Sequence, residues 1–390
     1  MKIAVVCDSF KGSLTSKDAC AAVKDGLLRC NKNFEVLSLP FADGGEGTSR
    51  CFYDILGGQL RKAAVHDPLL REITAEYTVL PDGTAVIDVA SASGLTLLKS
   101  SERDAVKVSS LGSGELICDA AEHGAKHIIL GLGGSATTDA GTGILYALGM
   151  RFFSEDGVEV LPDGQNMIRV KKIRRTENFE RFKDIKFTLA CDVTNPLCGE
   201  NGAAYVFSPQ KGASKNDVKL LDDGLRNIGE IFEKASGKKI INLPGAGAAG
   251  GIGGGLSAFL NCELQSGFDV LARAASLEDK IRRSDAVITG EGKTDRQTLF
   301  GKLPKRVSDI AEKFGVPCIL LSGDVENDIS AEKLGVCEIH KIKENGISLE
   351  HCMKNAASLL SERAFAIGKD SKIINKQYDR KQEKMRENKR

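Results

Sequence analysis

Short apolar runs, each followed at once by a polar, glycine-rich segment, set the rhythm of this chain. Ile3–Cys7 (IAVVC) is continuous and β-branched, the pattern of a strand buried on both faces of a parallel sheet. Ser16–Leu28 (SKDACAAVKDGLL) repeats its apolar residues at helical spacing behind Thr15, a residue type that caps helices. Glu35–Leu39 predicts a second strand, and Glu46–Leu56 a helix closed by Gly57-Gly58. The chain thus opens βαβα, which predicts a parallel sheet with helices on its faces. The pattern then changes. Leu60–Val65, Ile73–Leu80 and Ala85–Val89 read as strands on short turns, with PDGT at Pro81–Thr84 as a hairpin turn. Mixed sheet is expected here, with a domain boundary near residue 65.

Helices are expected over Gly114–Glu122 and Ala136–Leu148, and strands over His127–Leu130, Met150–Phe153 and Lys186–Cys191. Alternation of strand and helix returns with Asp285–Thr289, Leu303–Phe314, Pro317–Leu321, Glu338–Ile342 and Leu349–Ile367. The expected fold class is α/β in two domains. Residues 1–65 and 283–368 form a doubly wound parallel-sheet (Rossmann-like) domain, and 66–282 a mixed-sheet α/β domain inserted in it. Residues 369–390, basic and poor in apolar side chains, are expected to be a disordered tail or a frayed helix.

Composition narrows the function. A chain of 390 residues is too long for one ordinary core, in keeping with two domains. Formal net charge is +1, so no global basic field recruits nucleic acid. Aromatics make up 5% and Trp is absent, which argues against a base-stacking platform. No apolar run approaches the roughly 18 residues of a membrane helix. The 11 cysteines are odd in number and form no C-x-x-C pair, so they read as reduced thiols of a cytoplasmic protein. The 42 glycines exceed the usual share of about 7%. They gather in a few loops, where a backbone without side chains lets a ligand approach closely.

Those loops sit where chemistry is expected. DSFKGSLT (Asp8–Thr15), ADGGEGT (Ala42–Thr48), GLGGSATTDAG (Gly131–Gly141), DVTNPLCGENGA (Asp192–Ala203), GEGKTDRQT (Gly290–Thr298) and SGD (Ser322–Asp324) each follow an apolar strand. Ligands of open α/β sheets bind outside the carboxyl ends of strands. Glycine N–H groups and helix N-termini suit anions, and Lys11, Lys211, Lys293 and Lys302 supply point charges. Aspartate and glutamate hold Mg²⁺, orient hydroxyls or accept their protons. Anion cradles beside carboxylates are what phosphoryl transfer needs. The five histidines lie outside these loops, and no zinc site is expected.

Other readings stay open at this point. Gly131-Leu-Gly133-Gly-Ser-Ala136 fits G-x-G-x-x-A after a strand, with Glu155-Asp156 downstream, as a dinucleotide fingerprint requires; Gly245–Gly250 fits G-x-G-x-x-G. An NAD(P)-dependent hydroxy-acid oxidoreductase, or a non-catalytic protein that binds a small acid, is the alternative function. GLGGSA also resembles the phosphate loop of the galactokinase/homoserine kinase superfamily, without the rest of that fold's pattern. No Walker A sequence is present.

Taken together, DSFKGSL, PFADGGEGT, SSLGSGELI (Ser109–Ile117), GLGGSATTDAG, DVTNPLCGENGA, FSPQKGA (Phe207–Ala213), GAGAAGGIGGGL (Gly245–Leu256) and ITGEGKTDRQTLFGK (Ile288–Lys302) closely resemble the type I glycerate kinase family. The resemblance runs from residue 1 to about 368. PFADGG and TTDAG depart from the commoner PMADGG and TNDGG without removing a carboxylate. The resemblance implies transfer of the γ-phosphoryl of ATP to D-glycerate with Mg²⁺, giving 2- or 3-phosphoglycerate with the 2-phosphate favoured, in organic-acid and glyoxylate-derived metabolism. It implies an active site between the two domains. Lys11 with Ser9 and Ser13 is expected to hold the glycerate carboxylate. Asp192 and Asp43 are the expected catalytic carboxylates, with Asp8 behind them, and Gly44 and Gly45 border the substrate. Glu291 and Asp295 are expected at substrate hydroxyls or, with Asp192, at Mg²⁺. Gly131, Gly133, Gly134, Ser135, Thr137 and Asp139, with Gly247, Gly250 and Gly251, are expected to cradle the ATP phosphates. A homodimer stays open.

Overall fold

The structure is a computed structural model that describes residues 1–42, 47–343 and 346–387. The chain packs as two units, Met1–Asp43 with Leu271–Arg390, and Gly44–Val270. Among the described residues the strands are β1 (Lys2–Cys7), β2 (Glu35–Pro40), β3 (Gln59–His66), β4 (Glu72–Val79), β5 (Ala85–Asp88), β6 (His127–Gly131), β7 (Met150–Phe153), β8 (Lys172–Arg175), β9 (Lys186–Ala190), β10 (Asn261–Gln265), β11 (Ala286–Thr294), β12 (Cys318–Val325) and β13 (Glu338–Lys341).

The first unit is built on a five-stranded, wholly parallel sheet in the order β13-β12-β11-β1-β2. Counted along this unit the order is 2-1-3-4-5, a doubly wound arrangement. The chain leaves β1 for β2 on one side and returns to β11 on the other, so the order reverses between β1 and β11. Alternate strand residues bury opposite faces. Ile3, Val5, Ile288, Ile319 and Leu321 share a core with Val23 and Leu27 of helix Ser16–Cys30 and with Leu360 and Ala364 of helix Ala356–Asp370. The intervening Val6, Val287 and Leu320 are as deeply buried, on the side where helix Leu303–Lys313 packs against β11 and β12. Thr15 caps the first helix as its sequence predicts, accepting from Asp18 N at 3.1 Å.

Two expectations for this unit are corrected. The helix expected over Leu349–Ile367 breaks at Asn355 into Leu349–Lys354 and Ala356–Asp370. The basic segment is not wholly a free tail: Lys372–Glu387 is helical, Ile374 is fully buried in the core, and the Tyr378 ring stands edge-on to Phe34 at 5.9 Å. Three apolar side chains, Ile373, Ile374 and Tyr378, dock a segment whose composition is mostly polar. Ile374→Ala is expected to lower unfolding free energy by about 2–4 kcal/mol, read from urea denaturation; a loss below about 0.5 kcal/mol would show that this helix does not contribute.

The second unit carries a six-stranded sheet in the order β10-β9-β6-β5-β4-β3, parallel from β10 to β5 and antiparallel from β5 to β3. β3 pairs with β4 along its whole length, from Gln59↔Val79 to His66↔Glu72, and buries Ala63 and Val65 in this unit's core. The chain therefore enters the second unit before β3, not near residue 65, because β3 can satisfy its backbone only on β4. Helix Leu277–Arg282 packs on Leu303–Lys313 and belongs to the first unit. A further helix, Lys215–Ser236, buries Val218, Leu221, Leu225, Ile228 and Phe232 at helical spacing, with Ser214 and Asp217 as a capping box. No described helix is long and apolar enough to cross a membrane.

Candidate active site

The first unit has a pocket of about 690 Å³ at the carboxyl ends of β1, β11, β12 and β13. It includes the point where strand order reverses, the place where doubly wound sheets bind ligands. Beyond β1 the backbone stays on the ladder for one more residue, Asp8 N donating to Gly290 O at 2.9 Å. It then closes a tight turn. Phe10 N donates to Leu14 O at 2.9 Å and Leu14 N to Phe10 O at 3.0 Å, leaving Lys11 and Gly12 at the tip. Gly12 has φ +78°, which a side chain would strain. Phe10 is buried and anchors the turn, so Asp8, Ser9, Lys11 and Ser13 border the pocket together.

In the C-terminal half of β11 lies Glu291, 5% exposed, whose Oε1 accepts from the Thr298 hydroxyl at 2.7 Å. Burial pushes its carboxyl up to about 7; the Thr298 and Thr294 hydroxyls and Lys302 oppose this, and the charge of Asp8 adds to it. Asp295 has a different job. It caps the helix Arg296–Leu299, accepting from Gln297 N at 2.9 Å, and pairs with Lys302 at 3.2 Å. Burial raises its carboxyl, but Lys302 and the N–H groups of the turn outweigh that and hold it below the usual range. Gly323 lets β12 approach: a Cβ there would lie 2.1 Å from Gly292 O.

Four lysines line this pocket. Lys293 is held by Glu326 at 2.8 Å, Lys302 by Asp295, and Lys343 by Asp324 at 2.6 Å. Lys11 is exposed and pairs with no carboxylate among the described residues. Ile342, Leu349, Cys352, Met353 and Ala356 give the pocket an apolar lining, with the Met353 methyl close to Gly12 of the tight turn.

The phosphate loops expected in the second unit are mostly spent on packing. Of their nine residues, only Gly133 and Gly134 are not buried. A Cβ on Gly250 would lie 2.0 Å from Thr137 O, and Ala140 N donates to Gly250 O at 3.0 Å, so the two loops press backbone on backbone. Asp139 is fully buried, accepting from Ser110 N (2.9 Å), Ser110 Oγ (2.8 Å), Gly141 N (3.0 Å) and Gly143 N (3.4 Å). It ties down the start of helix Thr142–Ala147. That helix begins at Thr142, not at the expected Ala136, because residues 134–136 instead bond to Ser93 and Leu95. The dinucleotide fingerprint thus lacks the helix it must open.

Lys211 is 3% exposed and braces the same loop, donating to Thr137 O at 2.6 Å and Ser135 Oγ at 3.0 Å. Burial pushes its ammonium down to about 7, opposed by Asp139. The folded chain then binds fewer protons than the unfolded one between about 7 and the ordinary 10.5. Stability should rise with pH across that window, by at most about 1.4 kcal/mol per pH unit. Lys211→Met is expected to flatten the rise. Urea midpoints at about pH 7.5 and 9.5 measure it, and an unchanged slope would refute the assignment.

Asp43, Gly44 and Gly45 lie outside the described residues. Asp192 is exposed beyond the carboxyl end of β9. The described residues contain no group of three or more His, Cys, Asp or Glu placed to hold a metal. The structure also brings in residues that no motif announced. Asp88 accepts from Gly47 N and Ser49 N, both at 3.0 Å, and so holds the start of helix Thr48–Leu56; its position at a strand end was the available signal. Lys343, Leu349 and Met353 had no sequence signal, since only the fold carries them to the pocket.

Known proteins place this arrangement. Residues 3–372 match the glycerate kinase family. A glycerate kinase from Halalkalibacterium halodurans is 38% identical over 93% of this chain and 96% of its own. A glycerate 2-kinase from Escherichia coli is 41% identical over 84% of this chain and 87% of its own. The crystal structure of a putative glycerate kinase 2 from Salmonella typhimurium LT2 superposes with a TM-score of 0.84 at 35% identity, covering 94% of this chain and 97% of that one. The agreement extends over both units, and the chain belongs to the glycerate kinase family.

Proposed function

We propose that the protein transfers the γ-phosphoryl group of ATP to D-glycerate, held in the pocket of the first unit. One observation carries this reading: an exposed lysine that pairs with no described carboxylate and a buried carboxyl at about 7 line the same pocket at the strand-order reversal. D-Glycerate offers one carboxylate and two hydroxyls. Lys11, with the backbone of the Ser9–Ser13 turn, takes the carboxylate. Glu291 accepts the proton of the attacking hydroxyl while the new oxygen–phosphorus bond forms and ADP leaves; a base with pKa near the working pH suits that step. Mg²⁺ is usually held by one or two carboxylates together with phosphate oxygens, so a cluster of three is not required. Asp8 fits that part. Bound there, Mg²⁺ would neutralise charge on the phosphates.

The names of the relatives support acceptor and reaction, and that of the Escherichia coli relative favours 2-phosphoglycerate as product. The test is ADP release from Mg-ATP and D-glycerate, with the product identified by NMR. Absence of ADP from folded protein would overturn the reading, and a 3-phosphate product would overturn its regiochemistry.

A further inference from the structure

We infer that the same pocket takes the nucleoside end of the phosphoryl donor, with its purine ring on the apolar lining. This rests on the kinase reading and adds to it the place of the base. The first argument is size. About 690 Å³ lies within the ~300–1,000 Å³ of pockets that bury drug-sized ligands, far beyond what a three-carbon acid fills.

The second argument is the mixed lining. Charged groups crowd the strand ends, whereas Leu349, Cys352, Met353 and Ala356 give the same pocket an apolar lining. Leu349 is 60% and Met353 37% exposed, so two large apolar side chains are left in water where they line a pocket. D-Glycerate has no apolar face to cover them. A purine has two, and methionine packs well on aromatic rings. The third argument is position, since the order-reversal point of a doubly wound sheet is where nucleotides bind. Finally, most residues of the glycine loops expected to receive the donor in the second unit are buried in their own packing, all but Gly133 and Gly134.

Among the described residues the apolar lining offers the purine edge no side-chain partner except the Cys352 thiol. It recognises a flat ring by contact, so ATP and GTP are expected to serve as donors within about tenfold of each other.

The test uses full-length protein with Leu349→Asp, Met353→Asp and Met353→Leu. The two aspartate variants are expected to raise KM for ATP, and Kd for fluorescent mant-ADP, about tenfold or more, with KM for D-glycerate unchanged in Leu349→Asp. Met353→Leu keeps the apolar contact and should keep wild-type values, which separates lost contact from lost folding. Unchanged KM for ATP and Kd for mant-ADP, or a shift confined to D-glycerate, would overturn the proposal. The two readings fail differently. Wild type that binds mant-ADP through this side chain pair but forms no phosphoglycerate keeps the subsite and removes the kinase. Wild type that forms phosphoglycerate while the aspartate variants bind mant-ADP normally keeps the kinase and removes the subsite.

Discussion

Glu291→Gln is expected to lower turnover by roughly 10²–10⁴-fold, with stability changed by no more than about 1 kcal/mol. The asymmetry follows from what glutamine keeps. Its carbonyl still accepts the Thr298 hydroxyl, now at 2.7 Å from Oε1, and its volume matches, so the buried position in β11 stays filled. What it loses is the capacity to take a proton. That capacity is tuned by place: the strand end buries the carboxyl and raises it to about 7, while Thr298, Thr294 and Lys302 stop it from rising further. Initial rates of ADP release at saturating Mg-ATP and D-glycerate, beside urea midpoints, measure both halves. Turnover within threefold of wild type would remove Glu291 from the chemistry. Glu291→Asp, which keeps a carboxyl on a shorter stem, should recover part of the loss.

Lys11→Ala is expected to raise KM for D-glycerate about 10- to 100-fold, the equivalent of one charge-assisted hydrogen bond of ~1.5–3 kcal/mol. Stability should be untouched, because the side chain is exposed and no described carboxylate depends on it. The other lysines of the pocket make poorer anchors. Each would have to leave Glu326, Asp295 or Asp324 to meet a substrate carboxylate. Lys11→Arg should restore much of the affinity, since charge and reach are kept. An unchanged KM in Lys11→Ala would place the carboxylate elsewhere.

The residues that bind and react were legible as residues, much less so as an arrangement. DSFKGSL and GEGKTDRQT follow apolar runs in the sequence, and the structure sets Asp8, Ser9, Lys11, Ser13 and Glu291 around one pocket because those runs are adjacent parallel strands. A strand followed by a carboxylate is a local pattern, and local patterns survive in sequence. The glycines are ambiguous for the same reason. Sequence marks where a side chain is excluded, not what excludes it. At Gly250 the excluding group is Thr137 O of the chain itself, over a hundred residues away, not a phosphate. Asp139 likewise looks like a ligand beside glycines, until four donors from Ser110, Gly141 and Gly143 close around it.

By itself, then, the sequence determined the α/β class, the strands that end in chemistry, and the family, since each depends on contiguous residues. Only the tertiary structure decided that β3 belongs to the mixed sheet, that Ile374 and Tyr378 dock the basic segment, and which lysine of the pocket pairs with no described carboxylate. Pairing, burial and ion-pair partners are long-range properties. They are set by which distant segments share a strand edge or a core, and a single chain read in order carries no record of that.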